Sequence, residues 1–381
     1  MPENVKEKTS RRMKIRHRQR GPQVWIYLGK LLRMFVYQTD WKVLPMSAMI
    51  AGLVGLVTRK TCYLNMEGTL MGAFAMTCVC IWNGCFNSIQ VICRERDVIK
   101  REHRSGMHIS SYVFSHMLYQ ALICLAQTGV TLYVTHLVGV QYPSTGLFTR
   151  WFMVDIGITM FLITFASDML SLWISALART TTTAMTIMPF VLIFQLVFSG
   201  GMLQLPPWSK PFTYFTISSP GLRAIASQAD LNNLPFVTIS TILDKVEDNK
   251  IEGSVAVEDV LALLQSSENA HIKGVMDTKL SEASDLTIGG ILEILEEDPS
   301  LADLRAEKVD FSTTVGEVVA IAGKERVKNY IEEAASASRY SPEYECTKEN
   351  IAGCWLQLLM FAFGFALLAV ITLEFIDKDK R

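Results

Sequence analysis

Two sets of polar side chains recur at helical spacing inside otherwise apolar stretches of the chain. Cys80, Asn83, Asn87, Gln90 and Arg94 follow one another every three or four residues, and Gly157, Thr164, Asp168, Ser171 and Ser175 keep the same period. Each set therefore shares one face of a helix. Amides, hydroxyls and a lone carboxylate form hydrogen bonds but make no nucleophile and base pair. Two uses remain open for them: lining a passage for a solute, or joining helices in an apolar medium. A carboxylate such as Asp168 near the middle of a membrane span costs roughly 2.5–3.5 kcal/mol, so it must face protein or water. The first stripe runs into a dense charged segment, residues 94–104 (RERDVIKREHR). That segment belongs at a membrane surface, and its Lys and Arg content places it on the cytoplasmic side. A short charged helix there is what a soluble motor could grip, or it is an ordinary polar loop.

Other chemistry is poorly supported. The sequence contains no G-x-x-x-x-G-K-[ST] phosphate loop, no H-E-x-x-H and no G-x-S-x-G elbow. The eight cysteines include Cys78 and Cys80, but no zinc-ligand spacing, so neither a bound metal nor a directly bound cofactor is expected. His116 and His136 stand singly on apolar helices and read as packed or interfacial residues. Asp155, near the end of its span, is expected to pair with Arg150.

The elements that must position these residues are mostly membrane spans. Half of the 381 residues are apolar and only 19% are charged, a composition of the membrane class. Spans are expected over 43–58, 69–92, 107–140, 151–177, 184–203 and 355–375. Six crossings leave both termini in the cytoplasm, in a plasma-membrane protein. Residues 23–37 are amphipathic, too short and too charged to cross, and suit the cytoplasmic interface. Residues 1–20 carry eight Lys and Arg against Glu3 and Glu7, a basic arm suited to anionic lipid rather than to nucleic acid. The first apolar stretch follows this leader without a small-residue cleavage site, so no cleaved secretion signal is expected. Residues 230–346 reverse the balance, with roughly 24 acids to roughly 10 bases. They contain no span. Apolar residues at three- and four-residue spacing over 239–246, 255–264, 288–297, 315–322 and 326–335 predict a small acidic helical domain on the far side of the membrane.

The segment Glu95-Arg96-Asp97-Val98-Ile99-Lys100-Arg101-Glu102-His103-Arg104-Ser105-Gly106, followed by Ser110-Ser111-Tyr112, resembles the E-x-x-x-F-x-x-E-x-x-x-G-x-Y motif of ABC-2 permeases of the G subfamily, the white-pigment and pleiotropic-drug-resistance type. Phe198-Ser199-Gly200, Trp208, Tyr214-Phe215, Ile217 and Pro220-Gly221 resemble that family's F-S-G, W, Y-F-x-I-x-P segment. Departures are His108 where the family has Tyr, and Gly201-Met202 where it has a bulky pair.

The resemblance implies an all-α, six-span exporter half with an extracytoplasmic insert between the fifth and sixth helices. It implies a dimer with a second permease half, identical or not. It also implies an ABC ATPase partner that holds ATP and Mg. Domain limits follow: a basic arm at 1–22, a connecting helix at 23–40, spans one to five at 41–229 with a coupling helix at 94–104, the insert at 230–347, and the last span with its tail at 348–381. In that frame Arg94, Glu95, Arg96, Arg101, Glu102 and Gly106 belong to the coupling helix. Asn83, Asn87, Gln90, Phe194, Phe198 and Met202 are the candidate passage lining. A family-type disulfide in the external loop would involve Cys346, with Cys62 as a conceivable partner. The competing reading is a membrane-anchored sensory or adhesion protein that works through its acidic domain.

Overall fold

The computed structural model describes residues 19–37, 40–200, 206–235, 246, 248, 250–256, 279–281, 284–287 and 308–375. The chain divides into two compact units, one formed by Met1–Leu234 with Ser341–Arg381 and the other by Pro235–Tyr340. Among the described residues the first unit is helical throughout: α1 (Arg20–Tyr37), α2 (Val43–Thr58), α3 (Met66–Ser88), α4 (Val91–Arg104), α5 (Ile109–Val138), α6 (Phe152–Leu177), α7 (Thr181–Val197), the single turn α8 (Lys210–Thr213) and α9 (Ser218–Gln228). The last helix of this unit, Lys348–Glu374, follows the second unit in sequence and is labelled α12 below.

Among the described residues, four stretches are long and apolar enough to cross a membrane: Met66–Arg104, Ile109–Val138, Phe152–Leu177 and Lys348–Glu374. Val43–Thr58 and Thr181–Val197 are shorter apolar helices. Their starts are local chemistry. Asn65 caps α3 by accepting from Gly68 N at 2.7 Å, Thr180 caps α7 through Thr183 N at 3.2 Å, and Thr347 caps α12 through Asn350 N at 3.3 Å. Each oxygen satisfies one of the first-turn amides that a helix leaves without a partner.

The most buried of the long helices is α6, which packs against α3, α5 and α12. Its approach to α3 needs a glycine. A Cβ on Gly84 would meet the backbone of Thr164 and Asp168 and the side chain of Ser167. Ser167 Oγ donates to Ile81 O at 2.8 Å and lies 3.0 Å from Cys85 Sγ, while Ser171 Oγ reaches Gly84 O at 3.4 Å. Small polar residues thus lock two helices at close range, the use that an apolar solvent favours. Outward faces carry large apolar side chains such as Leu53, Leu125, Phe190 and Met360, as a bilayer-facing surface requires.

The second unit corrects the expectation of an all-helical insert. β1 (Lys250–Ala256) pairs antiparallel with β4 (Lys308–Thr314), and β2 (Lys279–Ser281) pairs with β3 (Ser284–Thr287). The register sets Ile251 opposite Thr313, Gly253 opposite Phe311 and Val255 opposite Val309. Ile251, Gly253 and Val255 alternate with Glu252 and Ser254, and Val309 and Phe311 with Asp310 and Ser312. That is the two-residue period of a strand. Helices follow at Val315–Ala322 (α10) and Lys324–Arg339 (α11). The helix expected over 255–264 begins inside β1, and the rest of it, like 288–297 and most of 239–246, lies outside the described residues.

The close α3–α6 contact yields a test. Gly84→Val forces a branched Cβ into backbone, an overpacking that costs about 1–3 kcal/mol or more. The variant is expected to lose the monodisperse peak in detergent size-exclusion chromatography, or to melt well below the parent. Parent-like melting would contradict the packing described.

Candidate functional site

The charged segment forms a helix fixed at both ends. After Ser88 the chain turns through Ile89 and Gln90 and re-enters a helix at Val91. The new first turn has amides with no partner inside its own helix. Ser175 Oγ of α6 accepts from Ile92 N at 3.1 Å and Cys93 N at 3.2 Å. In return Arg96 of α4 donates through Nη1 to Ala176 O at 3.0 Å and Ala178 O at 2.9 Å, at the C-terminal end of α6. A cation there meets the carbonyls left over at a helix end and the negative pole of the helix dipole. Each helix therefore caps the other.

At its far end α4 closes in a Schellman motif. Met107 N bonds to Glu102 O at 3.0 Å and Gly106 N to His103 O at 3.1 Å, with Gly106 at φ +110°. That left-handed position favours glycine. Helix α1 then clamps the corner. Gln23 donates Nε2 to Gly106 O at 3.2 Å and accepts from His108 N through Oε1 at 3.0 Å. Tyr27 OH donates to Glu102 Oε2 at 3.0 Å, and Lys30 Nζ lies 3.8 Å from Glu102 Oε1. Burial, reinforced by the Glu102 charge and this bond, raises the Tyr27 phenol above its ordinary range. Tyr27 therefore stays a protonated donor at neutral and moderately alkaline pH. Rings of Tyr27 and Tyr112 meet edge to face, with centroids 5.8 Å apart.

These contacts sort the six coupling-helix candidates. Arg94 and Arg101 are exposed, and with Asp97 and Arg104 they form one outward stripe. Glu95, Arg96 and Glu102 are half-buried and Gly106 is buried; of these, Arg96, Glu102 and Gly106 hold α4 to its neighbours.

The passage candidates divide as well. Asn83 is buried and donates Nδ2 to Ser47 Oγ of α2 at 3.0 Å, and Ser47 Oγ lies 3.2 Å from Thr131 Oγ1 of α5. Asn87 and Gln127 exchange amide bonds in both directions, at 2.8 and 3.1 Å. Gln120 Nε2 donates to Ser88 Oγ at 2.7 Å, and Cys124 Sγ to Asp168 Oδ2 at 3.4 Å. Asp168 is fully buried within this seam. Gln90 is exposed and, with Asn87, borders a cavity of about 280 Å³ between α1, α3, α4, α5 and α7. Phe194 and Phe198 pack on each other and on Phe212, with centroids 4.8, 6.4 and 5.3 Å apart. Phe194 also lines an apolar groove formed with α6 and α12. Met202 lies outside the described residues.

One expectation is corrected. Asp155 is not paired with Arg150; it accepts from Phe148 N at 2.8 Å and Thr149 N at 3.0 Å, because a buried carboxylate needs donors close at hand while the exposed Arg150 is served by solvent. His116 is fully buried, yet neither ring nitrogen has a hydrogen-bond partner among the described residues. Cys62 and Cys346 are both free thiols, and burial raises Cys62 to about 12. Sequence reasoning placed the third span but missed its polar stripe, where Gln120, Cys124, Gln127, Thr131 and Thr135 recur at three and four residues and where Cys124 and Gln127 supply the partners of Asn87. It also missed Gln23, Tyr27 and Lys30, which share one face of α1.

A family profile described as ABC-2 type transporter matches residues 5–227. The chain is also similar to an ABC transporter ATP-binding/permease protein from Mycobacterium tuberculosis, 26% identical over 162 residues, which is 40% of this chain and 18% of that relative. The chain thus spans under a fifth of the relative's length.

Removing the shared cap should loosen α4 selectively. Ser175→Ala is expected to lower stability by about 1 kcal/mol. It should also speed hydrogen exchange at the Ile92 and Cys93 amides more than at the α6 amides. Parent-like exchange at those two amides would contradict the clamp.

Proposed function

Because the chain belongs to the ABC-2 type transporter family, we propose that it is the permease of an ATP-driven exporter that moves an amphipathic, lipid-like substrate by alternating access. ATP and Mg bind on a separate ATPase subunit, and the permease works beside a second permease half. It sits in the plasma membrane, crosses it six times, keeps both termini in the cytoplasm and carries residues 230–347 on the opposite face. The family match covers the basic arm, α1 and the membrane helices up to α9, which disfavours an anchored sensory or adhesion protein as the alternative. The relative's own name joins an ATP-binding part to a permease part, in keeping with an ATPase partner here.

The observation that carries this reading is the two-ended anchorage of α4. Its outward stripe of Arg94, Asp97, Arg101 and Arg104 offers charge to a soluble partner. Behind the stripe, Arg96 and Ser175 tie α4 to α6, and Glu102 ties it to α1. A force applied to the stripe therefore reaches a spanning helix and an interfacial helix together. Nucleotide binding on the partner shifts the permease between inward- and outward-open states only through contacts that differ between them. The stripe is where those contacts form.

Charge reversal separates grip from scaffold. In the reconstituted complex, Arg101→Glu is expected to abolish substrate-stimulated ATP turnover while leaving membrane insertion and melting unchanged. Glu102→Lys should do the same and also lower the melting temperature, since it places a cation beside Lys30. Full stimulated turnover in Arg101→Glu would overturn the coupling role.

A further inference from the structure

The groove between α6, α7 and α12 joins aromatic walls to a single unused amide. It encloses about 560 Å³, and Gln195 is the only amide among its described lining residues. Gln195 is 3% exposed, and its Oε1 accepts from Ile217 N and Ser218 N. Two backbone donors settle which end of that amide is oxygen, so the other end is the NH₂ group. This Nε2 has no partner among the described residues, and it is not sealed off as the His116 nitrogens are. Half of the lining residues are aromatic. Trp173, Phe365 and Phe361 stack in turn with nearly parallel planes, at centroid distances of 5.8 and 5.9 Å. On α12, Gly364 sits one turn from both Met360 and Leu368, and a Cβ there would meet nothing within 4 Å. The helix therefore has a notch in its groove face.

We propose that this groove binds a lipid-soluble quinone, a flat electron-poor ring that carries carbonyl oxygens. A ring carbonyl accepts from Gln195 Nε2 and brings no donor of its own. A ring alcohol could reach the same nitrogen, but its O–H would be buried beside an Oε1 already shared by two amides, and an unpaired buried donor costs affinity. An acyl chain would fill the space and leave Nε2 unused. Aromatic faces are electron-rich, so an electron-poor ring stacks on Trp173, Phe361 or Phe365 better than an electron-rich one. The volume falls within the range of small-molecule sites, roughly 300–1,000 Å³. Phe190 and Met360 are exposed at its edge, so the ligand enters sideways from the bilayer. The inference rests on the reading of α7 and α12 as membrane helices. It requires neither ATPase nor export.

Isothermal titration of the full chain in detergent with decylubiquinone, against an empty-micelle blank, tests it. Saturable binding of one quinone per chain is expected. The matched quinol, kept anaerobic, has the same shape but carries O–H groups on an electron-rich ring, and should bind about tenfold more weakly. Decylbenzene, which keeps the tail and lacks the carbonyls, should be weaker by a similar factor. Comparing ligands leaves Gln195 in place, where it also holds the first amides of α9. Gly364→Trp fills the notch from a position with room for it, so it should abolish saturable binding while the melting temperature stays at the parent value. Gly364→Ala should bind like the parent. Equal affinity for quinone and quinol, or for quinone and decylbenzene, would overturn the proposal. So would parent-like binding in Gly364→Trp.

Discussion

Helix ends beside a membrane are the constraint on which this structure turns. A backbone break near hydrocarbon exposes amides on one side and carbonyls on the other, and neither can be left bare. Here the break between α3 and α4 falls next to the end of α6, and the two deficits cancel. One serine of α6 takes two amides of α4, and one arginine of α4 takes two carbonyls at the end of α6. Without that exchange α4 would have no fixed angle to the bundle, and charges on its surface could push on nothing.

The rest of the bundle makes the exchange rigid. Gly84 allows α3 to touch α6, and Ser167 and Ser171 stitch the contact. The amide seam through Asn87, Gln127, Gln120 and Ser88 ties α3 to α5. On the other flank Gln195 of α7 accepts from Ile217 N at 2.8 Å and from Ser218 N at 3.2 Å, which caps the buried α9. Gln228 at the end of α9 donates to Thr159 Oγ1 at 2.9 Å, and Trp355 Nε1 of α12 donates to the same oxygen at 2.7 Å. Few of the polar groups named here face open space. Most act as fasteners between helices.

Legibility in the sequence followed the physics. The apolar helices, the helix α1 and the charged helix over 94–104 could be read directly, because length, hydropathy and charge decide them one segment at a time. The polar stripes were visible too, but not their use. Asn83 reads the same whether it lines a passage or bonds to Ser47, since the partner lies 36 residues away on another helix. Ser175 looked like the last member of a stripe, and only the meeting of α4 with α6 reveals it as a cap. The strands of the acidic unit were hidden for another reason. In 250–256 and 308–314 the alternating pattern is short and diluted by Gly, Ser and Thr, while the neighbouring acidic stretches carry a stronger helical period.

The central claim of the proposed exporter mechanism is that α4 and α6 move as one body when the proposed ATPase partner acts. Spin labels at Arg101 and Leu177, both exposed, report on it through pulsed-dipolar distances in the reconstituted complex with and without ATP. The account predicts one unchanged distance distribution in both states, while the distance from Arg101 to a label on exposed Leu53 of α2 shifts. A nucleotide-dependent change between Arg101 and Leu177 would contradict it.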